Sequence, residues 1–100
     1  MTLDDFIQAT RDSDAAAPQE LPELLLALWH AKRAEWDKAH EIVQSLETYD
    51  AAWVHAHLHR VEGDLPNARY WYSRADRSEP SYDTATEWQA ITSSLLETYK

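Results

Sequence analysis

The chain has 100 residues, 44% of them hydrophobic and 27% charged, which fits one globular core and not a disordered segment. Eighteen acidic against nine basic residues give a formal net charge of −9. That balance argues against nucleic acid and against an anionic membrane surface, both of which need Lys and Arg to meet phosphate. There is no cysteine, so disulfides, thiolate metal sites and thiol nucleophiles are excluded.

The opening MTLDDFIQAT is acidic and lacks the basic segment of a signal peptide. The longest apolar run, Leu24 to Trp29, is too short to span a bilayer. The expectation is a soluble, cytoplasmic chain. Thr2 is placed to cap a first short helix, with Asp4 and Asp5 in its first turn and Leu3, Phe6 and Ile7 on its apolar side. RDSDAAAPQ, residues 11–19, reads as a linker. Pro22 suits the first turn of a helix over about 21–33, because the N–H it lacks would be unbonded there. Leu24, Leu25, Leu28 and Trp29 nearly encircle that helix, which predicts deep burial.

Trp36, Ala39, Val43 and Leu46 recur at i, i+3, i+7, i+10 and form one face of the next helix. Asp50 is the expected cap of a helix running through Glu62. Gly63 closes it, and Asp64 caps another with Pro66 in its first turn. Leu65, Ala68, Tyr72 and Ala75 repeat the same face. After RSEPS, Thr84 with Glu87 reads as a capping box, followed by Trp88, Ile91, Leu95 and Leu96 on a last helix. No segment alternates as a strand would. The fold class is all-α.

The two central faces match at a constant offset of 29 residues: Trp36 with Leu65, Ala39 with Ala68, Val43 with Tyr72, Leu46 with Ala75. The same offset pairs Ala27 with Ala56, His30 with His59 and Ala34 with Gly63. Tandem antiparallel helical hairpins with a terminal helix at each end are the simplest architecture. Ala56, Gly63, Ala68, Tyr72, Ala75 and Pro80 resemble the small, glycine, small, aromatic, small and proline positions of a tetratricopeptide repeat. The resemblance covers a well-matched repeat over 49–80 and a degenerate one over 20–48, with residues 1–19 and 81–100 as flanking helix, linker and cap in a single domain. The family period is about 34 residues, so the link before Tyr49 is shortened here. The family register also buries His55 and His59, whereas a helical wheel centres the apolar face on Val54, Leu58 and Val61. The wheel is followed for burial. The stretch HRVEGDLPNARYWY is also similar to one in small uncharacterised bacterial proteins, a resemblance that implies no activity.

Three sets of residues bear on chemistry. His55 and His59 are four apart on one helix face, a spacing compatible with a metal, with Glu62 or Asp64 as further ligands. The alternative is two histidines hydrogen-bonded beside Trp and Tyr in a half-buried layer. Trp53, His57 and Arg60 share another face. By the tetratricopeptide resemblance they look into a groove, with Leu28 and Lys32 nearby, where an aromatic plate beside a cation suits a peptide backbone or carboxylate. The alternative there is that the last helix covers the face. Trp71 and Tyr72 border the small-residue stripe and are expected in the core, with Tyr70 exposed. No nucleophile stands in a recognisable elbow or triad order, and one glycine cannot build a phosphate loop. The resulting expectation is a non-enzymatic module that binds a protein or peptide and needs no cofactor. Its rivals are a histidine-based metal protein or hydrolase, and a module that only dimerises.

Overall fold

The computed structural model describes residues 1–11, 16–18 and 20–99. These form six α-helices and, among the described residues, no strand: α1 Leu3–Arg11, α2 Glu23–Lys32, α3 Trp36–Gln44, α4 Tyr49–Glu62, α5 Leu65–Arg74 and α6 Thr84–Thr98. Of the linker expected over 11–19, Arg11 belongs to α1 and residues 16–18 carry no regular structure. The remainder lies outside the described residues.

The helix starts follow from hydrogen bonds to short polar side chains. Thr2 Oγ1 accepts from the Asp5 N–H at 3.1 Å, and Asp5 Oδ2 accepts in return from the Thr2 N–H at 3.3 Å. Asp64 caps α5 as expected, accepting from Asn67 N–H at 3.3 Å, with Pro66 in the first turn. Two expected caps are corrected. Thr48, not Asp50, caps α4, accepting from Ala51 N–H at 3.1 Å. Asp83 caps α6, accepting from Thr86 N–H at 2.8 Å. With Asp83 in that place Thr84 is already helical, and Glu87 is free to turn inward.

Helices α2 and α3 form one antiparallel hairpin, α4 and α5 a second, and α3 packs on α4 to join them. Helix α6 then lies across α2 and α4, and α1 closes against α2 and α6. The 29-residue offset is visible in the backbone. Ala34 (φ 61°) and Gly63 (φ 88°) both adopt the left-handed conformation that ends the first helix of each hairpin. In both, the N–H of the following residue bonds back to a histidine carbonyl: Glu35 to His30 and Asp64 to His59, each at 2.9 Å. Glycine adopts this geometry freely, while alanine meets a cost of about 1 kcal/mol. Ala27 and Ala56, and Ala39 and Ala68, are fully buried, letting paired helices approach closely.

Three indoles tie the helices together through backbone carbonyls. Trp29 Nε1 donates to Ala9 on α1 at 3.1 Å, Trp36 Nε1 to Leu58 on α4 at 2.6 Å, and Trp88 Nε1 to Leu28 on α2 at 2.8 Å. A buried indole N–H needs such a partner, so each bond also fixes how its helix is rotated.

Helix α4 is the centre of the molecule. Every residue from Ala51 to His59 is buried. The wheel expectation for this helix is therefore corrected: Val54 and Leu58 are in the core, but Val61 is exposed, and His55 and His59 are buried instead. The wheel assumes one apolar face and one wet face. A helix touched by α2, α3, α5 and α6 has no wet face until its last turn, so its polar residues are inside and must be satisfied by partners.

Candidate functional site

Helix α4 presents histidines to two sides. On the α6 side stand the residues expected to line a groove. His57 Nδ1 lies 2.7 Å from Glu87 Oε1, and Arg60 Nη1 donates to the same oxygen at 3.3 Å. The Tyr72 hydroxyl donates to the other carboxylate oxygen, Oε2, and Arg60 Nη2 donates to the Tyr82 carbonyl. Leu28 is buried, with its carbonyl taken by Trp88. Lys32 stays exposed, its ammonium 5.0 Å from the centre of the Trp88 ring. Trp53 is 8% exposed and carries the Arg77 guanidinium 3.5 Å above its ring. Of the two readings of this face the covered one holds: α6 fills it, because Trp88, Ile91 and Leu95 bury their apolar faces there and Glu87 meets the polar ones.

Glu87 is 1% exposed, a position at which an unpaired carboxylate is not tolerated. Burial pushes its pKa up. The hydrogen bonds from His57 and Tyr72, with the charges of His57 and Arg60, outweigh that and hold the carboxyl below the usual range. The Tyr72 phenol is raised, first by burial and then by its bond to Glu87.

On the opposite side, between α3 and α5, three imidazoles meet. His40 from α3 joins His55 and His59 from α4, and one ligand nitrogen of each lies within 4.8 Å of the others. His40 Nε2 and His55 Nε2 are 3.1 Å apart. Two tryptophans hold the rings. Trp36 stacks on His40 (centroids 4.7 Å, planes 11° apart), and Trp71 on His55 (3.8 Å, 12°). His59 Nδ1 lies 2.7 Å from Glu62 Oε1, at the exposed rim.

The charge state follows from this enclosure. Desolvation lowers the pKa of His55 to about 4, with help from His40 and His59 as neighbouring bases that would carry the same charge. His40 is lowered for the same two reasons, desolvation first and His59 second. Both shifts favour the neutral form of His55 and His40, one of which donates to the other across the Nε2–Nε2 contact.

The structure brings the predicted pair His55 and His59 together and adds His40, which the sequence reading left out. A histidine 15 residues before His55 gives no local signal, since only the packing of α3 on α4 closes the distance. Glu87 was assigned to a cap. Asp64 keeps its capping role and Glu62 engages His59 at the rim, and His59, Glu62 and Asp64 also bring one ligand atom each within 4.8 Å of the others. Tyr70 is exposed as expected and accepts from Arg74 at 2.9 Å. Tyr72 is buried, and Trp71 is only partly so. No protein-family model matches the chain, and neither the curated proteins nor the solved structures give a match.

Proposed function

We propose that the chain is a non-enzymatic helical-repeat module, of tetratricopeptide-like design, whose α2–α4 face grips an amphipathic helix. In the resting chain that helix is its own α6. The observation that carries this reading is the seat of Glu87. His57, Arg60 and Tyr72, from two helices of one hairpin, converge on a single carboxylate, while Leu28 offers a carbonyl to the neighbouring indole. Such a face recognises a helix with an acid beside an aromatic, followed by apolar residues one and two turns on. A protein or peptide of that chemistry is the partner this reading names, and it competes with α6 for the same contacts.

The test uses the full chain with Glu87→Gln and Trp88→Ala together, which weakens the resident helix. A labelled peptide of the 81–99 sequence should bind this variant saturably and the unmodified chain far less. Circular dichroism should show that most helix is retained. Failure of the variant to bind the peptide, with its helix content retained, would overturn the reading. If the variant self-associates with increasing concentration in light scattering, exchange of α6 between two copies is the form the binding takes.

A further inference from the structure

We infer that His40, His55 and His59 form a three-histidine site for a divalent zinc-class ion, seated over α4 in the cleft between α3 and α5. The inference stands apart from the groove reading, because it uses the other side of α4 and none of the Glu87 contacts. A tetrahedral ion with metal–nitrogen bonds of 2.0–2.1 Å sets its ligand nitrogens about 3.4 Å apart. His40 and His55 already present Nε2 atoms at 3.1 Å, and all three rings bring a nitrogen within 4.8 Å. Small rotations about the side-chain bonds close the remainder.

Three features distinguish this cluster from histidines gathered by chance. First, it is built on rigid elements: His55 and His59 are one turn apart on the most buried helix, and His40 faces them from α3. Second, the ring planes of His40 and His55 are fixed by Trp36 and Trp71, so little ordering remains for an ion to impose. Third, Glu62 engages His59 Nδ1, which leaves the Nε2 lone pair for a metal. Metal-bound histidines are commonly held by such a carboxylate.

Imidazole without thiolate or a ligating carboxylate suits zinc, copper or nickel over calcium or magnesium. Three protein ligands leave a fourth position. His40, the only one of the three that is not buried, marks the solvent side from which a water or a ligand atom of a partner fills it. The other acid-containing group, His59 with Glu62 and Asp64, is exposed on both carboxylates and shares His59 with the cleft. It is an edge of the same site and not a second one.

The experiment is calorimetric titration of the full chain, purified without a histidine tag, with zinc chloride alone at neutral pH. The expected result is one ion per chain. His40→Gln changes the least buried ligand and should weaken binding by more than about 100-fold, beyond what loss of a supporting carboxylate costs. Glu62→Gln, at the rim, should weaken it about 10- to 100-fold. Circular dichroism checks that both variants keep their helices, and the Glu62 variant stands alone if the other does not fold. Cobalt(II) in place of zinc should give the intense visible absorption of a tetrahedral site. Absence of a one-to-one site in the unmodified chain, or affinity unchanged by both variants, overturns the inference.

Discussion

The two sides of α4 use the same residue type in opposite ways. Facing α6, His57 shares a buried carboxylate with Arg60 and Tyr72, and polarity there is satisfied by an opposite charge. Facing α3 and α5, His55 and His40 meet each other and two indoles, and polarity is satisfied by keeping the rings neutral. The difference separates a side closed by α6 from one that stays open at His40. A network in which every charge has its partner locks a helix in place. A cluster of rings that meet one another, with the partly exposed His40 on its solvent side, is the geometry on which the proposed ion site rests.

The largest effect should come from removing the shared carboxylate. Glu87→Ala leaves the buried His57 and the half-buried Arg60 around an empty position and should cost about 3–5 kcal/mol, measured by urea denaturation. A cost under about 1 kcal/mol would mean that the carboxylate is solvated and α6 loosely held. The tryptophans on the two sides come next. Trp53, buried under Arg77, should cost about 3–5 kcal/mol on change to Ala. Trp71, partly exposed over His55, should cost less, roughly 1–3 kcal/mol. Equal costs would erase the distinction between a closed face and an open cleft.

Acid separates the sides along the pH axis. In the unfolded chain His55 binds a proton below about its ordinary value of 6.5, but in the folded chain only near 4. The unfolded state thus holds more protons in that window, and stability falls as pH drops from 6.5 to 4, by up to about 3 kcal/mol. Glu87 behaves differently. Its carboxyl is held below its ordinary 4.5, so its contribution is present above that value and is lost only as pH falls through the lower, folded one. Thermal melts across pH should show two successive losses, and His55→Gln should flatten the upper one alone. The smallest effect concerns Thr92 on α6, whose hydroxyl is fully buried with no hydrogen-bond partner among the described residues. Thr92→Val keeps the shape, removes the unsatisfied oxygen and should raise stability by about 1 kcal/mol in the same melts.

Much of the frame was legible in the sequence, for a local reason. The six helices are marked by 3.6-residue spacing and by Gly, Pro, Asp and Thr at their ends. The 29-residue offset places Ala34 and Gly63 at equivalent left-handed turns because both hairpins need the same reversal. What escaped depends on contacts across the chain. Glu87 is 30 residues from His57, and nothing in its neighbourhood distinguishes a buried acceptor from a capping acid. His40 enters the cleft only because two hairpins stack. The burial of His59 in place of Val61 reflects how many helices surround α4, a number that the helix's own residues do not encode.

The central claim is that α4 holds the His55 ring desolvated within a cluster of imidazoles on one side. Nuclear magnetic resonance of the histidine rings, followed from pH 7.5 downward, tests it most directly. The account predicts that the His55 ring stays neutral until the pH approaches about 4. A midpoint near 6.5, the value of a freely hydrated imidazole, would contradict it, since the His55 ring would then be hydrated and not enclosed by Trp71 and its neighbours.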